Sequence, residues 1–327
     1  MKAALYEKTG PANEVLSIAE INQPAVTFGH VRVKVFASGI NPSDIKQRGG
    51  WGGLTMRFPH VIPHNDGAGV IESVGEGVPE SRIGERVWIY EATLEGGLGT
   101  AAEFVVVPSE TAIALPQNTT FAEGACLGVP AMTAHHCVLK DGDIAGQTVL
   151  VTGGAGAVGN YAIQFAKWAN ATVITTVSSD EKAEIAKAAG ADYVINYKTE
   201  NVAKRVKEID GKGVDRVIEV DFGANLQTNL KIIKRNGVIA TYASDSQLAP
   251  QVSTYDLIYK NLTVHYVLVY AMSKAAHQQA AKDINTCLEA GFFKHVIAQR
   301  FTLDQIAEAH ELLESGRAIG NLILEIS

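Results

Sequence analysis

Over about the first 120 residues, apolar and polar positions alternate in short runs. Along His30-Val31-Arg32-Val33-Lys34-Val35-Phe36 the valines fall on one face and His30, Arg32 and Lys34 on the other, the period of a half-buried strand. Similar short strands are predicted at residues 2–6, 69–74, 86–90 and 102–107. Glycine clusters at Gly49-Gly50-Trp51-Gly52-Gly53 and Gly96-Gly97-Leu98-Gly99 interrupt them, so a largely β unit with glycine-rich loops bordering a cleft is expected. From about Gln147 the rhythm changes. Apolar runs at 148–152, 172–177, 193–195, 216–220 and 238–242 are separated by helical stretches such as 180–189 and 202–209. These runs lack polar alternation, as strands covered by helices on both faces do. Repeated βα units of this length predict an α/β fold with a doubly wound parallel sheet. The tail reads as helix 273–290, strand 296–301, helix 303–315 and strand 321–326, and its last strand is free to rejoin the first unit.

Composition narrows the class. At 327 residues the chain exceeds one ordinary core, and two domains are expected. With 46% apolar and 19% charged residues it is globular. A net charge of -7, with no dense Lys/Arg stretch, argues against a nucleic-acid partner. No apolar run reaches the ~20 residues of a bilayer span, so no membrane association is expected. Glu7 interrupts the N-terminus before a secretory leader develops. Cys126, Cys137 and Cys287 are scattered, without CxxC spacing, which disfavours disulfides and a thiolate zinc site and suits a reducing cytoplasm.

The strongest chemical signal is Gly154-x-Gly156-x-x-Gly159, set between the apolar strand Val149-Leu150-Val151 and a helix carrying Val158, Ala162, Phe165 and Ala169 at spacings of three and four. Such glycines let the chain turn tightly, approach a pyrophosphate without Cβ atoms and pack helix on strand. The backbone N–H groups of Ala157 and Val158 at the helix start would face the phosphates. The second strand ends in Ser178 and Ser179, with Lys182 one turn into the next helix, which favours a 2′-phosphate and hence NADPH. Asp180 and Glu181 pull the other way, since either could receive a ribose hydroxyl.

Several segments together resemble the quinone oxidoreductases (ζ-crystallin type) of the medium-chain dehydrogenase/reductase superfamily. They are Gly39-Ile40-Asn41-Pro42-Ser43-Asp44, Pro63-His64-Asn65-Asp66-Gly67-Ala68-Gly69, Gly84-Glu85-Arg86-Val87, Gly99-Thr100-Ala101-Ala102-Glu103-Phe104, the glycine turn, Gly190-Ala191-Asp192-Tyr193 and Ala309-His310-Glu311-Leu312-Leu313-Glu314-Ser315. The resemblance implies a discontinuous GroES-like, partly open β-barrel catalytic domain (1–122 and 268–327) and a Rossmann domain (123–267), with the active site between them and a homodimer formed through the Rossmann sheets. It implies that Asn41 contacts the nicotinamide side and orients it. Ser178, Lys182 and Tyr197 match positions that grip the 2′-phosphate, Tyr242 joins the cofactor set, and Arg317 reaches the cofactor from the other domain.

Zinc-dependent relatives need a cysteine where Asn41 lies and a histidine where Asn65 lies, and neutral amides are poor zinc ligands, so no metal is expected. His64, one position early, is read as a cleft or packing histidine, with direct action on substrate as the alternative. His135, His136 and Cys137 are read as structural, because adjacent helical side chains diverge by about 100°. Lys46 stands where several quinone reductases carry a tyrosine, and 51–58 is idiosyncratic.

Without a Lewis acid, the chemistry left is the positioning of nicotinamide against an already electrophilic acceptor, a quinone or conjugated carbonyl. Three readings follow: an NADPH:quinone reductase, a reductase of enals, enones or enoyl thioesters, or an NADPH-binding redox sensor or structural protein with little turnover.

Overall fold

A computed structural model describes residues 1–326. The chain divides into two compact units, one formed by Met1–Pro130 with Ala281–Ser327, the other by Ala131–Ala280.

The first unit opens with the antiparallel pair β1 (Lys2–Leu5) and β2 (Ser17–Glu20), separated by the short α1 (Ala12–Val15). Then come β3 (His30–Ile40), α2 (Pro42–Gly49), β4 (Asp66–Val74), β5 (Arg86–Ile89), β6 (Phe104–Pro108), β7 (Ala112–Ala114) and α3 (Phe121–Gly124). The alternation at Val31, Val33 and Val35 puts all three side chains in the core with Ile71, Val87, Ile89 and Val105. Each such burial contributes about 1.5–3 kcal/mol, which is what fixes the register of these strands. β3 is long enough to serve several partners: its first half pairs with β6, its second half with a C-terminal strand at Asn321–Glu325, and β4 runs along nearly its full length.

The second unit contains α4 (Met132–Leu139), β8 (Thr148–Val151), α5 (Ala157–Trp168), β9 (Thr172–Val177), α6 (Asp180–Ala188), β10 (Tyr193–Asn196), α7 (Val202–Ile209), β11 (Val214–Glu219), α8 (Phe222–Ile232), β12 (Ile233–Thr241), α9 (Thr254–Lys260) and β13 (Thr263–Tyr266). Its six strands are all parallel in the order β10-β9-β8-β11-β12-β13. Strand order reverses beside β8, whose four residues are all buried. In an open parallel sheet that reversal leaves a crevice at the carboxyl ends of the strands, where ligands bind. The chain continues through α10 (Lys274–Glu289) to β14 (Ile297–Thr302), α11 (Ile306–Glu314) and β15 (Asn321–Glu325).

The unit boundaries differ from those expected at 122/123 and 267/268. Residues just beyond 122 pack into the first unit: the carbonyl of Ala125 presses on Gly39, where an added Cβ would lie 2.0 Å away, and Val129 N–H donates to Asp66. The second boundary falls inside α10, a continuous helix whose Asn285 accepts from Trp88 Nε1 at 3.0 Å and donates to the Ala114 carbonyl at 2.9 Å. No helix among the described residues is long and apolar enough to cross a membrane.

Candidate active site

β8 leads through Thr152 into the turn Gly153–Gly156 and then α5. Gly153 has φ +68°, a left-handed conformation that glycine adopts without steric cost. A Cβ on Gly154 would lie 2.0 Å from Thr175 Oγ1, and one on Gly159 would lie 2.3 Å from the Gly153 carbonyl oxygen. Those two glycines are required by packing. Gly156 is different: it is exposed, its φ is -74°, and an added Cβ would meet nothing nearer than Gly153 O at 3.3 Å. That contact is tight but far milder than those at Gly154 and Gly159, and the bare backbone leaves room for a closely approaching ligand. Gly156 also caps α5 without a side chain, so the first N–H groups, those of Ala157, Val158 and Gly159, lack a side-chain partner at the positive end of the helix dipole. An anion suits that position.

Beside the turn lies a cavity of ≈320 Å³ lined by Thr152, Gly153, Thr176, Tyr197, Val220 and Asp221, among others. Buried Glu219 braces it. Its carboxylate accepts from Asp221 N–H at 2.7 Å, Asn225 Nδ2 at 2.8 Å and Asn229 Nδ2 at 2.6 Å, and lies 3.0 Å from Thr152 Oγ1. Thr152 Oγ1 in turn accepts the Val220 N–H at 2.9 Å. Motif spacing does not reveal this brace; the one available signal is a lone acid inside the apolar run Val217-Ile218-Glu219-Val220.

Ser178 and Lys182 are half-buried at the end of β9 and in the first turn of α6, while Asp180 and Glu181 are exposed. Ser179 is committed to the helix, its Oγ accepting Lys182 N–H at 3.3 Å. Tyr197, 52% exposed, presents an open ring at the cavity edge. Tyr242 lies apart from these, lining a second cavity of ≈500 Å³ with Phe222, Thr241, Leu248 and Tyr266. Burial above all, then Cys137 and Glu219, pushes its phenol well above the ordinary tyrosine range.

In the first unit, Asn41 follows β3 and caps α2 between two buried carboxyls. Its Nδ2 donates to Asp66 Oδ2 at 2.8 Å and its backbone N–H donates to Asp44 Oδ2 at 2.8 Å. Asn65 Nδ2 donates to Asp44 Oδ1 at 3.2 Å, and Asn65 Oδ1 accepts from Thr93 Oγ1 at 2.7 Å. Burial raises Asp44 to about 7 against the pull of donors on Asn41 and Asn65. Burial likewise raises Asp66 well above the carboxylate range, with Asp44 and Glu91 adding to it.

Of the two placements the sequence leaves open for His64, the structure puts it in the core. It is fully buried, with Nδ1 2.8 Å from Ser38 Oγ and Nε2 2.8 Å from His310 Nε2, so neither ring nitrogen is left for a substrate. Its backbone is left-handed, with φ +76°. Arg317 is exposed just after α11, its Nε donating to Ser315 Oγ at 3.0 Å. Lys46 Nζ sits 4.9 Å from the Trp51 ring centre. His135 is buried edge-on to Phe165 at 5.3 Å, and Cys137 is buried. Among the described residues no group of three or more His, Cys, Asp or Glu is placed to hold a metal ion.

The alcohol dehydrogenase GroES-like domain family matches residues 28–117, and the zinc-binding dehydrogenase family matches residues 157–313. The second name describes that family as a whole; here Asn41 and Asn65 are occupied as hydrogen-bonding amides. The quinone oxidoreductase of Rattus norvegicus is 32% identical over 324 residues, covering 98% of this chain and 96% of the relative. A 2-haloacrylate reductase of Burkholderia sp is 30% identical, covering 99% of this chain and 98% of the relative. The crystal structure of Escherichia coli quinone oxidoreductase complexed with NADPH superposes with a TM-score of 0.87 at 27% identity, covering 99% of this chain and 100% of that one. With nearly the whole of both chains aligned at 32% identity to the rat enzyme, the protein belongs to the quinone oxidoreductase family of the medium-chain dehydrogenases/reductases and is an oxidoreductase.

Proposed function

We propose that the protein is an NADPH-dependent reductase that passes reducing equivalents to quinones. The observation that carries this reading is Gly156, a bare, exposed helix cap with open room for a close approach, at the switch point of a parallel sheet. The turn from Gly154 to Gly159 receives the pyrophosphate; Ser178, Lys182 and Tyr197 receive the 2′-phosphate; Tyr242, Arg317 and Asn41 complete the cofactor set. Bound NADPH supplies a hydride equivalent to an acceptor that is already electrophilic. The protein contributes orientation and exclusion of water. Asn41 holds the nicotinamide side, its amide fixed by Asp66. The E. coli relative is described with NADPH, and the rat relative is a quinone oxidoreductase.

A second acceptor class has its own support. The Burkholderia relative is a 2-haloacrylate reductase, and a 28% identical relative from Solanum lycopersicum is a 2-methylene-furan-3-one reductase. Both names describe conjugated acceptors. Fluorescence titration with NADPH and NADH, followed by turnover on 1,4-benzoquinone, 9,10-phenanthrenequinone and 2-hexenal, separates the readings. Turnover on the quinones supports the proposal, turnover on hexenal alone supports the second class, and tight binding without oxidation by any acceptor supports a sensor.

Two further assignments belong to this reading. β13 is the edge strand of its sheet, with Tyr266 72% and Leu268 60% exposed beside it, and a second copy pairing along that edge would form the homodimer. Sedimentation of a Tyr266→Glu variant as a monomer would support it. The three cysteines are free and buried, as suits the cytoplasm.

A further inference from the structure

We infer that His310 and His64 are positioning residues for Asn41: they close a one-way chain of hydrogen bonds that fixes the backbone of Asp66, whose carboxyl holds the Asn41 amide. The inference rests on the role given to Asn41 above.

The direction of the chain follows from its far end. The Asp66 carbonyl can only accept, so Thr100 Oγ1 donates to it, at 2.6 Å. Thr100 has spent its one hydroxyl proton, so Ser38 Oγ, 2.7 Å away, donates to Thr100. Ser38 has then spent its own proton, so His64 Nδ1, at 2.8 Å, carries a hydrogen and donates to Ser38. A neutral imidazole has one N–H, which leaves His64 Nε2 as an acceptor. His310 Nε2 must therefore be the protonated nitrogen across the 2.8 Å contact. His310 Nδ1 is left bare, and it is buried without a partner. A lone pair is the less costly group to leave there than an N–H would be. Both rings stay neutral: burial lowers His64 well below the usual histidine range, helped by His310, and lowers His310 to about 3, helped by Arg48.

The chain clamps the two sides of Asn41's environment together. Ser38 lies three residues before Asn41 on β3, and Asp66 opens β4 opposite Gly39. The Thr100 N–H also donates to the His64 carbonyl at 3.0 Å. α11 supplies His310 and, through Glu314, an ion pair to buried Arg48 on α2, the helix that Asn41 caps. Mere filling of space does not account for His64. Its left-handed backbone is strained for any residue but glycine, and glycine would fit it without strain.

The test has two parts, one independent of turnover. In the parent protein, long-range 1H–15N imidazole spectra should show His64 protonated on Nδ1 and His310 on Nε2; the opposite tautomer at either ring overturns the inference. His310→Leu removes the donor, and His310→Gln replaces it with an amide N–H. In His310→Leu the Asn41 side-chain amide resonance should shift, and kcat with a quinone should fall about tenfold while KM for NADPH changes less than threefold. His310→Gln should return both toward the parent values. A folded His310→Leu variant with unchanged Asn41 amide and unchanged kcat, only melting lower, overturns it. If His310→Leu does not fold, the parent tautomers and the Gln variant still decide the question. Failure of the parent to bind or oxidise NADPH would instead sink the functional reading, while the tautomer and amide measurements would still report on the clamp.

Discussion

A Cβ placed on Gly154 would collide with Thr175 Oγ1 at 2.0 Å, and that hydroxyl is already committed to the Val151 carbonyl at 2.8 Å. The turn, β8 and β9 are thus locked together at a point with no room to give. Gly154→Ala should destabilise the fold by about 1–3 kcal/mol through overpacking. Gly156→Ala meets only the carbonyl at 3.3 Å and should lose less than about 1 kcal/mol of stability against the parent, yet its methyl would occupy the proposed phosphate approach. Thermal melts paired with NADPH titration check the contrast: Gly154→Ala loses stability, whereas Gly156→Ala loses at least tenfold in affinity while staying folded.

Lys182 is half-buried in the first turn of α6, the only cation between the exposed Asp180 and Glu181 and the next lysine, Lys187, of that helix. A charge-assisted hydrogen bond to the 2′-phosphate contributes about 1.5–3 kcal/mol, enough for a tenfold change in affinity. Lys182→Ala should therefore weaken NADPH by about tenfold and leave NADH within a factor of two or so. Titration of both cofactors against both proteins decides it, and equal losses would remove Lys182 from the 2′-phosphate site.

The parts of this structure that were legible in the sequence are those set by local period. The valines of β3 and the mainly apolar runs of β8 and β9, which lack polar alternation, announce their strands, because each side chain answers to burial one residue at a time. β13 escaped notice: it is four residues long, partly buried, and continues into Val267-Leu268-Val269 without a period that separates strand from turn. The pairing of His64 with His310 joins positions 246 residues apart, and no spacing rule reaches that far. For His64, beside Asn65, sequence leaves open whether the ring borders a cleft or packs in the core. Only its burial and its contact with His310, which sequence does not display, put the ring in the core.

Removal of metal should leave the enzyme unchanged. The two positions that would have to supply ligands, Asn41 and Asn65, carry amides that each donate an N–H to a buried carboxyl, Asp66 and Asp44, and Asn65 Oδ1 accepts from Thr93. Turning either amide toward a cation would take one of its donors from a buried carboxyl, at about 1–3 kcal/mol. Dialysis against EDTA is expected to alter neither kcat/KM nor the melting temperature. Inactivation with recovery on added zinc would show that the site reorganises around an ion.

Asp44 sets a pH dependence of stability whose sign is fixed. Its carboxyl is raised by burial to about 7 in the folded chain, against about 3.9 in an unfolded one. Between those values the native state holds a proton that the unfolded state has released, so stability from this group falls as pH rises through the interval, by up to about 1.4 kcal/mol per pH unit. The buried His64 and His310 act in the opposite sense: their values are lowered, the unfolded chain binds the extra protons, and their contribution is lost as pH falls below about 6.5. The two effects overlap in the parent protein, and Asp44→Asn separates them, because the amide is neutral in both states and its NH2/C=O group can still meet one of the two donors, Asn41 N–H and Asn65 Nδ2. Denaturant midpoints at pH 5 and pH 8 should show the parent losing about 2 kcal/mol relative to the variant over that range. Parallel pH curves for the two proteins would mean that Asp44 is ionised throughout, and that Asn41 sits beside a charged carboxylate rather than a protonated one.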